Sequence, residues 1–304
     1  RGLVGSEMCI RDRNNIMKRS KLGFWLFLAP CLISFAIVVL IPTVIGIYYS
    51  LTDWKGSGNA NFIGFENYIK LFTNDNSNFW YSFGYTALFA ITAVICINVV
   101  GFALALLVTK KFRGATLLRG IFFMPNLIGG LLLGFAWQFI FKQVFNAIYT
   151  ATGMEFFRNW LTDSTTGFFA LLIVMVWQMG GYMMIIYIAA IQNIPDSVIE
   201  ASAIDGAGGW RRLFSITIPM VVPAFTVGLF LMLSNSFKLF DQNLALTKGG
   251  PNHCNEMLAL NIYNSAFVSN QTGYAQAKAV IFLISVATIS IIQLIATKRA
   301  EVET

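Results

Sequence analysis

Residues Ile194 to Pro223 read IPDSVIEASAIDGAGGWRRLFSITIPMVVP and separate two long apolar runs. Pro195 suits the first turn of a helix, where its missing N–H costs nothing. Gly206 can adopt a positive φ and so reverse the chain direction. After the glycine, Trp210, Leu213 and Phe214 follow at i, i+3 and i+4 and therefore share one helical face. The stretch predicts two short helices joined by a bend, the second with an exposed apolar face.

An exposed aromatic face on a short helix needs a covering surface. One possibility is that the face lies in the lipid headgroups beside its own helices. The other is that it docks into a partner protein. The spacing of these residues alone leaves both possibilities open.

The composition places the chain in a membrane. Of its 304 residues, 57% are hydrophobic and 12% are charged, whereas soluble domains carry about 25% charged residues. A spanning helix needs about 20 mainly apolar residues, and we expect six such spans at about 22–49, 79–108, 120–141, 167–191, 218–240 and 277–296. Within the third, Pro125 and Asn126 predict a kink. The sequence thus predicts an all-α polytopic membrane protein.

The first residues differ from the rest. RGLVGSEMCIRDR at the start resembles a translated sequencing-adaptor read-through, and Met17 with the basic residues after it is typical of a native start. We therefore expect residues 1–16 to be a non-native leader or a short disordered tail. Residues 17–304 are expected to form one transmembrane domain.

The positive charges predict the orientation, since Lys and Arg concentrate in cytoplasmic loops. If both termini are cytoplasmic, eleven basic residues lie on that side: Lys18, Arg19, Lys21, Lys110, Lys111, Arg113, Arg119, Arg211, Arg212, Lys298 and Arg299. Six lie on the other: Lys55, Lys70, Lys142, Arg158, Lys248 and Lys278. The net charge of +7 is therefore mostly a topology signal, and nucleic-acid binding is not expected.

The segment Glu200-Ala201-Ser202, three residues, Gly206, nine residues and Ile216 to Pro219 resembles the signature loop of binding-protein-dependent ABC importer permeases. The family pattern is Glu-Ala-Ala, three residues, Gly, nine residues, Ile, any residue, Leu, Pro. Ser202 and Ile218 are the two departures. Ile204 to Ala207 matches the version of the loop found in sugar permeases.

This resemblance implies a type I importer permease fold in the bacterial cell membrane, with loop 194–219 forming a coupling helix that sits in a cleft of an ATPase subunit. The residues that it assigns to coupling are Glu200, Ala201, Asp205, Gly206, Trp210, Arg211, Leu213, Phe214 and Pro219. Trp210, Leu213 and Phe214 would form the docking face, and Arg211 or Arg212 would pair with acids of the ATPase. The implied partners are a second homologous permease, an ATPase dimer, an extracellular solute-binding protein and a sugar.

Three further segments resemble carbohydrate-uptake permeases of the maltose and glycerol-phosphate type, specifically the first permease subunit. They are Phe62 to Tyr68 in the first outer loop, Asp241 to Pro251 after the fifth span, and Gly273 to Ala277 before the last. Their order along the chain agrees with that family from about Lys21 to the C-terminus.

The fifth span supplies the candidates for the substrate path. Ser234, Lys238, Asp241 and Gln242 recur at i, i+4, i+7 and i+8, which is one face of a helix. Charged residues near membrane depth usually line a cavity, but Lys238 and Asp241 could instead pair with each other. Asn235 lies beside this stripe. For Asn98, and for Trp177 with Gln178, bonding across helices is favoured over a place in the path.

Two other classes of protein fit less well. No Gly-Lys dipeptide occurs, so the phosphate-binding loop of an ATPase is absent and ATP must be bound by a separate subunit. We therefore expect no enzyme activity and no cofactor in this chain. The single His253 excludes metal sites that need two histidines. An ion-coupled carrier is the alternative, but Asp241 at the edge of a span is its nearest candidate acid.

Overall fold

The computed structural model describes residues 23–73, 78–110 and 113–302, the last five by their backbone alone. The predicted leader, residues 1–16, lies outside this part of the chain. We label the helices in chain order as α1 Gly23–Ser50, α2 Glu66–Thr73, α3 Phe79–Thr109, α4 Ala115–Phe123, α5 Gly130–Thr152, α6 Ser164–Gln192, α7 Asp196–Ile204, α8 Gly209–Phe237, α9 Leu258–Val268 and α10 Thr272–Val302. Among the described residues, six helices are long and apolar enough to span a membrane: α1, α3, α5, α6, α8 and α10. The predicted all-α, six-span class is confirmed.

Helix α6 lies at the centre of the bundle, because α3, α4 and α8 all pack against it. It begins after Asp163, whose carboxylate accepts the N–H of Thr165 at 3.1 Å and so caps the helix. The interior is filled by large, fully buried side chains from α3, α6 and α8: Phe89, Ile97, Met175, Met183, Tyr187 and Met232. The core therefore lies between these three helices.

Helix α1 lies at the edge of the bundle and packs along α10. Gly46 allows the two helices to approach, since a Cβ built there would lie 2.9 Å from Oε1 of Gln276. None of the most apolar window of α1 is buried within the chain. In a membrane this surface is covered by lipid or by another protein.

The third span differs from its predicted position at about 120–141. Helix α4 ends at Phe123, a 3₁₀ turn covers Met124–Leu127, and α5 begins at Gly130 and continues to Thr152. Pro125 stands in the 3₁₀ turn and has no N–H for a helical hydrogen bond. Hydropathy missed the shift because the residues are apolar on both sides of the break, so the expected kink is a complete interruption.

The fifth span also begins earlier than predicted. Of the two short helices predicted here, only α7 is separate from the spans, because α8 starts at Gly209 and includes the whole segment from Trp210 to Pro219. A π turn at Leu213–Thr217 precedes Pro219, so the missing N–H of this proline falls where the hydrogen-bond pattern already changes. The second short helix predicted from the spacing is thus the first part of the fifth span.

A buried polar network joins α9 to α10. Lys278, which the sequence placed among the loop cations, is fully buried in α10 and donates to Oδ1 of Asn261 at 3.0 Å. The amide of Asn261 donates to the buried carboxylate of Glu256 at 3.2 Å. This carboxylate also lies 2.9 Å from Nδ1 of His253. Buried charges persist when hydrogen bonds satisfy them, and this network fixes α9 at the predicted outer end of the bundle.

The contact between α4 and α6 depends on a glycine. A Cβ built on Gly181 would lie 1.8 Å from the carbonyl oxygen of Phe122. We therefore expect Gly181→Ala to force the helices apart and to lower the free energy of unfolding by about 1–3 kcal/mol or more. The measurement is the thermal unfolding midpoint of the purified protein in detergent. Gly84→Ala in α3 is the control, because no atom lies within 4 Å of that Cβ position. Equal midpoints for the two variants would contradict this packing.

Candidate functional site

The turn between α7 and α8 is held by two backbone hydrogen bonds. The N–H of Ala207 donates to the carbonyl of Ser202 at 2.9 Å, and the N–H of Gly206 donates to that of Ala203 at 3.1 Å. This pair of bonds is a Schellman motif, which favours glycine at its left-handed position. Gly206 has φ +70°, as predicted. Ser202, a departure from the family pattern, is buried and its hydroxyl donates to the carbonyl of Ile199 at 2.7 Å.

Three large apolar side chains project around this turn, and we call Ile204, Trp210 and Phe214 the docking face. They are 86%, 75% and 60% exposed. The rings of Trp210 and Phe214 are nearly parallel, with centroids 6.1 Å apart. Leu213, which the spacing grouped with them, is half-buried and lines a cavity shared with Leu106 of α3. Sequence reasoning missed Ile204 because it precedes the turn and belongs to a different helix.

The other residues predicted for coupling surround the docking face. Glu200, Ala201, Asp205 and Arg211 are exposed, and Pro219 is half-buried within α8. In the part of the chain that the structure describes, the ion pairs are Arg158–Glu155 and His253–Glu256. The charged groups beside the turn are therefore available to a partner.

A second group of polar side chains lies at the break between α4 and α5. The side-chain amide of Gln178 donates to the carbonyl of Ile128 at 3.0 Å. The amide of Gln242 donates in turn to the side-chain oxygen of Gln178. Both glutamines are buried, and Oε1 of Gln242 has no hydrogen-bond partner among the described residues. Irregular backbone at membrane depth is tolerated where protein buries it or where it lines a water-filled cavity.

Asp241 lies beside Gly130, the first residue of α5. A Cβ built on Gly130 would lie 2.9 Å from Cβ and 3.3 Å from Oδ2 of Asp241. A carboxylate is favourable near a helix N-terminus, where the backbone N–H groups carry partial positive charge. Lys238 is exposed, and no ion pair joins it to Asp241 in the described ranges. The alternative in which these two charges simply pair is therefore not observed.

The predicted single stripe along the fifth span is wrong as a helical face. Helix α8 ends at Phe237, and Lys238 is its C-cap, with φ −90° and ψ 10°. Ser234 and Asn235 therefore lie on the helix, half-buried and exposed respectively, whereas Asp241 and Gln242 lie beyond its end. The spacing argument failed because it extended the helix through residues that do not continue it. The structure nevertheless brings Asp241 and Gln242 together at the α4–α5 break.

Asn98 and Gln178, two polar residues within the spans, form different kinds of hydrogen bonds. Asn98 accepts a hydrogen bond from the hydroxyl of Tyr187 and donates to the carbonyl of Val94, so its predicted structural role is confirmed. Gln178 also bonds across helices, as predicted, but its partners are the broken span and Gln242. The sequence holds one indication of this cluster: Gln178 stands in the centre of one apolar run and Pro125 interrupts another.

The chain resembles known membrane components. Residues 97–302 match the family described as binding-protein-dependent transport system inner membrane component. A probable starch degradation products transport system permease protein from Thermoanaerobacterium thermosulfurigenes is 50% identical, over 94% of this chain and 97% of its own. A multiple sugar-binding transport system permease protein from Streptococcus mutans is 34% identical, over 91% of this chain and 96% of its own.

Solved structures agree on the fold. A chain of a bacterial ABC transporter involved in the import of the acidic polysaccharide alginate superimposes with a TM-score of 0.79 at 21% identity, covering 94% of this chain and 98% of that one. A chain of the alginate transporter in complex with its alginate pentasaccharide-bound periplasmic protein gives 0.81 at 20% identity, covering 94% and 97%.

The two glutamines at the break can be tested as a pair. Gln242→Leu leaves the side-chain oxygen of Gln178 buried without its donor, which we expect to cost about 1–3 kcal/mol of stability. Gln178→Leu should cost at least as much, since it also frees the carbonyl of Ile128. The double variant should lose less stability than the two single variants together, with a coupling free energy of about 0.5–3 kcal/mol between the two sites. Unfolding midpoints measure the cycle, and Asn235→Leu, exposed on α8, is the control. Strict additivity would show that the pair is not coupled.

Proposed function

The chain belongs to the family of binding-protein-dependent transport system inner membrane components, and we propose that it is one of two permease subunits of an ATP-driven importer for malto-oligosaccharides. The docking face beside the Gly206 turn is the observation that carries this proposal, since a separate energy source needs a surface on which to act. Starch degradation products appear in the name of the relative that is 50% identical over 94% of the chain. Starch is a polymer of glucose, so its degradation yields malto-oligosaccharides.

We place the docking face in the cytoplasm, because the basic residues concentrate at the ends of the spans on that side. Ile204, Trp210 and Phe214 would fill an apolar cleft of an ATPase subunit, and Glu200, Asp205 and Arg211 would pair with charges at its rim. Large aromatic anchors surrounded by polar groups are typical of protein interfaces. ATP hydrolysis then belongs to that subunit rather than to this chain.

A second permease would complete the membrane part of the importer. Helix α1 leaves its most apolar surface unburied, and an apolar groove of about 540 Å³ runs along α3 and α6, lined by residues such as Val100, Leu172 and Trp177. We assign these surfaces to lipid and to the second permease. The translocation path would then run between the two subunits and include the polar groups at the α4–α5 break.

The substrate would meet Asp241, Gln242 and Asn235 in this path. Carboxylates and amides bind the hydroxyl groups of sugars. The Oε1 of Gln242 is buried and has no partner among the described residues, and it would accept a hydrogen bond from a sugar hydroxyl when the path opens. On the outer side, a solute-binding protein would deliver the sugar. One similar structure is that of an alginate transporter in complex with a periplasmic protein that holds a pentasaccharide, which supports such a partner for this chain.

The coupling assignment can be tested with two matched glycines. Gly206 and Gly58 both have positive φ, +70° and +78°, and no atom lies within 4 Å of the Cβ position of either. Gly206→Asp and Gly58→Asp therefore introduce a similar local backbone strain and the same charge. When the chain is expressed with its genomic neighbours and pulled down by a tag, we expect Gly206→Asp to lose the co-purifying ATPase and Gly58→Asp to retain it. Retention by both would contradict the docking assignment.

The transport path can be tested with two matched glutamines. Gln242 and Gln293 each have a buried Oε1 without a hydrogen-bond partner among the described residues, but Gln293 lies in α10. In proteoliposomes containing the assembled importer, we expect Gln242→Leu to lower maltotriose uptake per complex by about tenfold, because a substrate hydrogen bond is lost. Gln293→Leu should transport normally. Equal uptake by both variants would remove Gln242 from the path, and uptake of no malto-oligosaccharide by the unaltered importer would refute the substrate assignment.

A further inference from the structure

A cavity of about 400 Å³ lies where the end of α3 meets the first turns of α8. Leu106 and Leu213 supply apolar lining, and Trp210 forms part of the wall. The two charged groups that line it are Lys110, exposed at the C-cap of α3, and Arg212, half-buried in α8. The cavity thus combines an apolar surface with two cations that come from different helices.

Among the residues that the structure describes, these two cations have no counter-charge. None of the described residues that line the cavity is an acid, and neither Lys110 nor Arg212 forms an ion pair with any described residue. Two like charges that share one cavity repel each other, and an anion bound between them removes that cost. The lining therefore selects a negatively charged occupant.

The position of the cavity indicates what kind of anion this is. Helix α3 is a membrane span that ends at Thr109, so Lys110 is the first residue beyond it and lies at the depth of the lipid headgroups. Basic pockets between spanning helices at this depth suit phospholipid headgroups. Leu106, one turn deeper in the span, is placed to contact the acyl chain below a headgroup. An amphiphilic anion matches both parts of the lining.

We propose that this cavity binds an anionic phospholipid, with the phosphate between Lys110 and Arg212 and the upper acyl chain against Leu106 and Leu213. The proposal rests on α3 and α8 spanning the membrane and does not depend on the transported solute. It also separates two adjacent arginines: Arg212 lines the lipid site, whereas Arg211 is exposed outside it. Trp210 belongs both to this wall and to the docking face, so a bound lipid would brace the part of α8 that the ATPase contacts.

Lipid retention by the purified full-length chain tests this site without any partner subunit. Native mass spectrometry would be recorded after titration with dioleoyl-phosphatidylglycerol or with dioleoyl-phosphatidylcholine. We expect one tightly held phosphatidylglycerol per chain and no comparable adduct with phosphatidylcholine. Lys110→Gln/Arg212→Gln should weaken phosphatidylglycerol binding by about tenfold or more, since two cations near a phosphate are removed. Arg211→Gln, one residue away, should bind as the unaltered chain does.

A second variant separates shape from charge. Leu106→Trp fills the cavity and keeps both cations, so it should also lose the lipid. Thermal unfolding midpoints in lipid-free detergent check that the variants fold. Equal losses for Arg211→Gln and the double variant, or equal retention of the two lipids, would overturn the proposal. Displacement of phosphatidylglycerol by an excess of inorganic phosphate would also overturn it, in favour of a site for a free anion.

Discussion

In hydrocarbon, every backbone N–H and C=O must find its partner inside the protein, and the arrangement around the α4–α5 break follows from this constraint. Pro125 interrupts the helix, and the carbonyl of Ile128 is satisfied by the side chain of Gln178 from α6. Gly181, one turn further along α6, allows the backbone at Phe122 to approach. One face of the central helix thus supports the interruption between α4 and α5, and that support brings Gln242 and Asp241 to the same place. A polar cluster in the membrane is the consequence of holding the break.

The Gly206 turn imposes a second constraint, this time on motion. Its two hydrogen bonds terminate α7 in a tight turn, and α8 runs without a loop from Gly209 to Phe237. A displacement applied to the docking face at one end of α8 is therefore carried by a continuous helix toward Asp241 and Gln242, which follow its other end. A flexible linker between a coupling helix and a span would absorb such a displacement. The structure thus provides a mechanical connection between the surface that we assign to the ATPase and the polar groups that we assign to the path.

Much of this arrangement was predictable from the sequence. The spans follow from composition, because about 20 apolar residues in a row have few alternatives to a membrane helix, and the positive φ of Gly206 follows from its place in the motif. The third span begins at Gly130 and not near residue 120, because hydropathy does not distinguish a proline-containing break from the apolar segments on either side of it. The stripe from Ser234 to Gln242 failed because periodicity does not reveal where a helix ends. Lys278 was assigned to a loop, since the sequence does not show that Asn261 and Ser265 would satisfy it in the interior.

We propose that an ATPase subunit covers the surface beside the Gly206 turn in the working importer. Ile204 reports on this most directly, because it is 86% exposed in the chain alone and had no part in the predicted docking face. The measurement is the rate at which a maleimide labels Ile204→Cys in a variant without the native cysteines, for the isolated chain and for the assembled complex. We expect rapid labelling of the isolated chain and a rate at least about tenfold slower in the complex, as for a side chain that moves into a desolvated interface. Equal rates in the two states would contradict it.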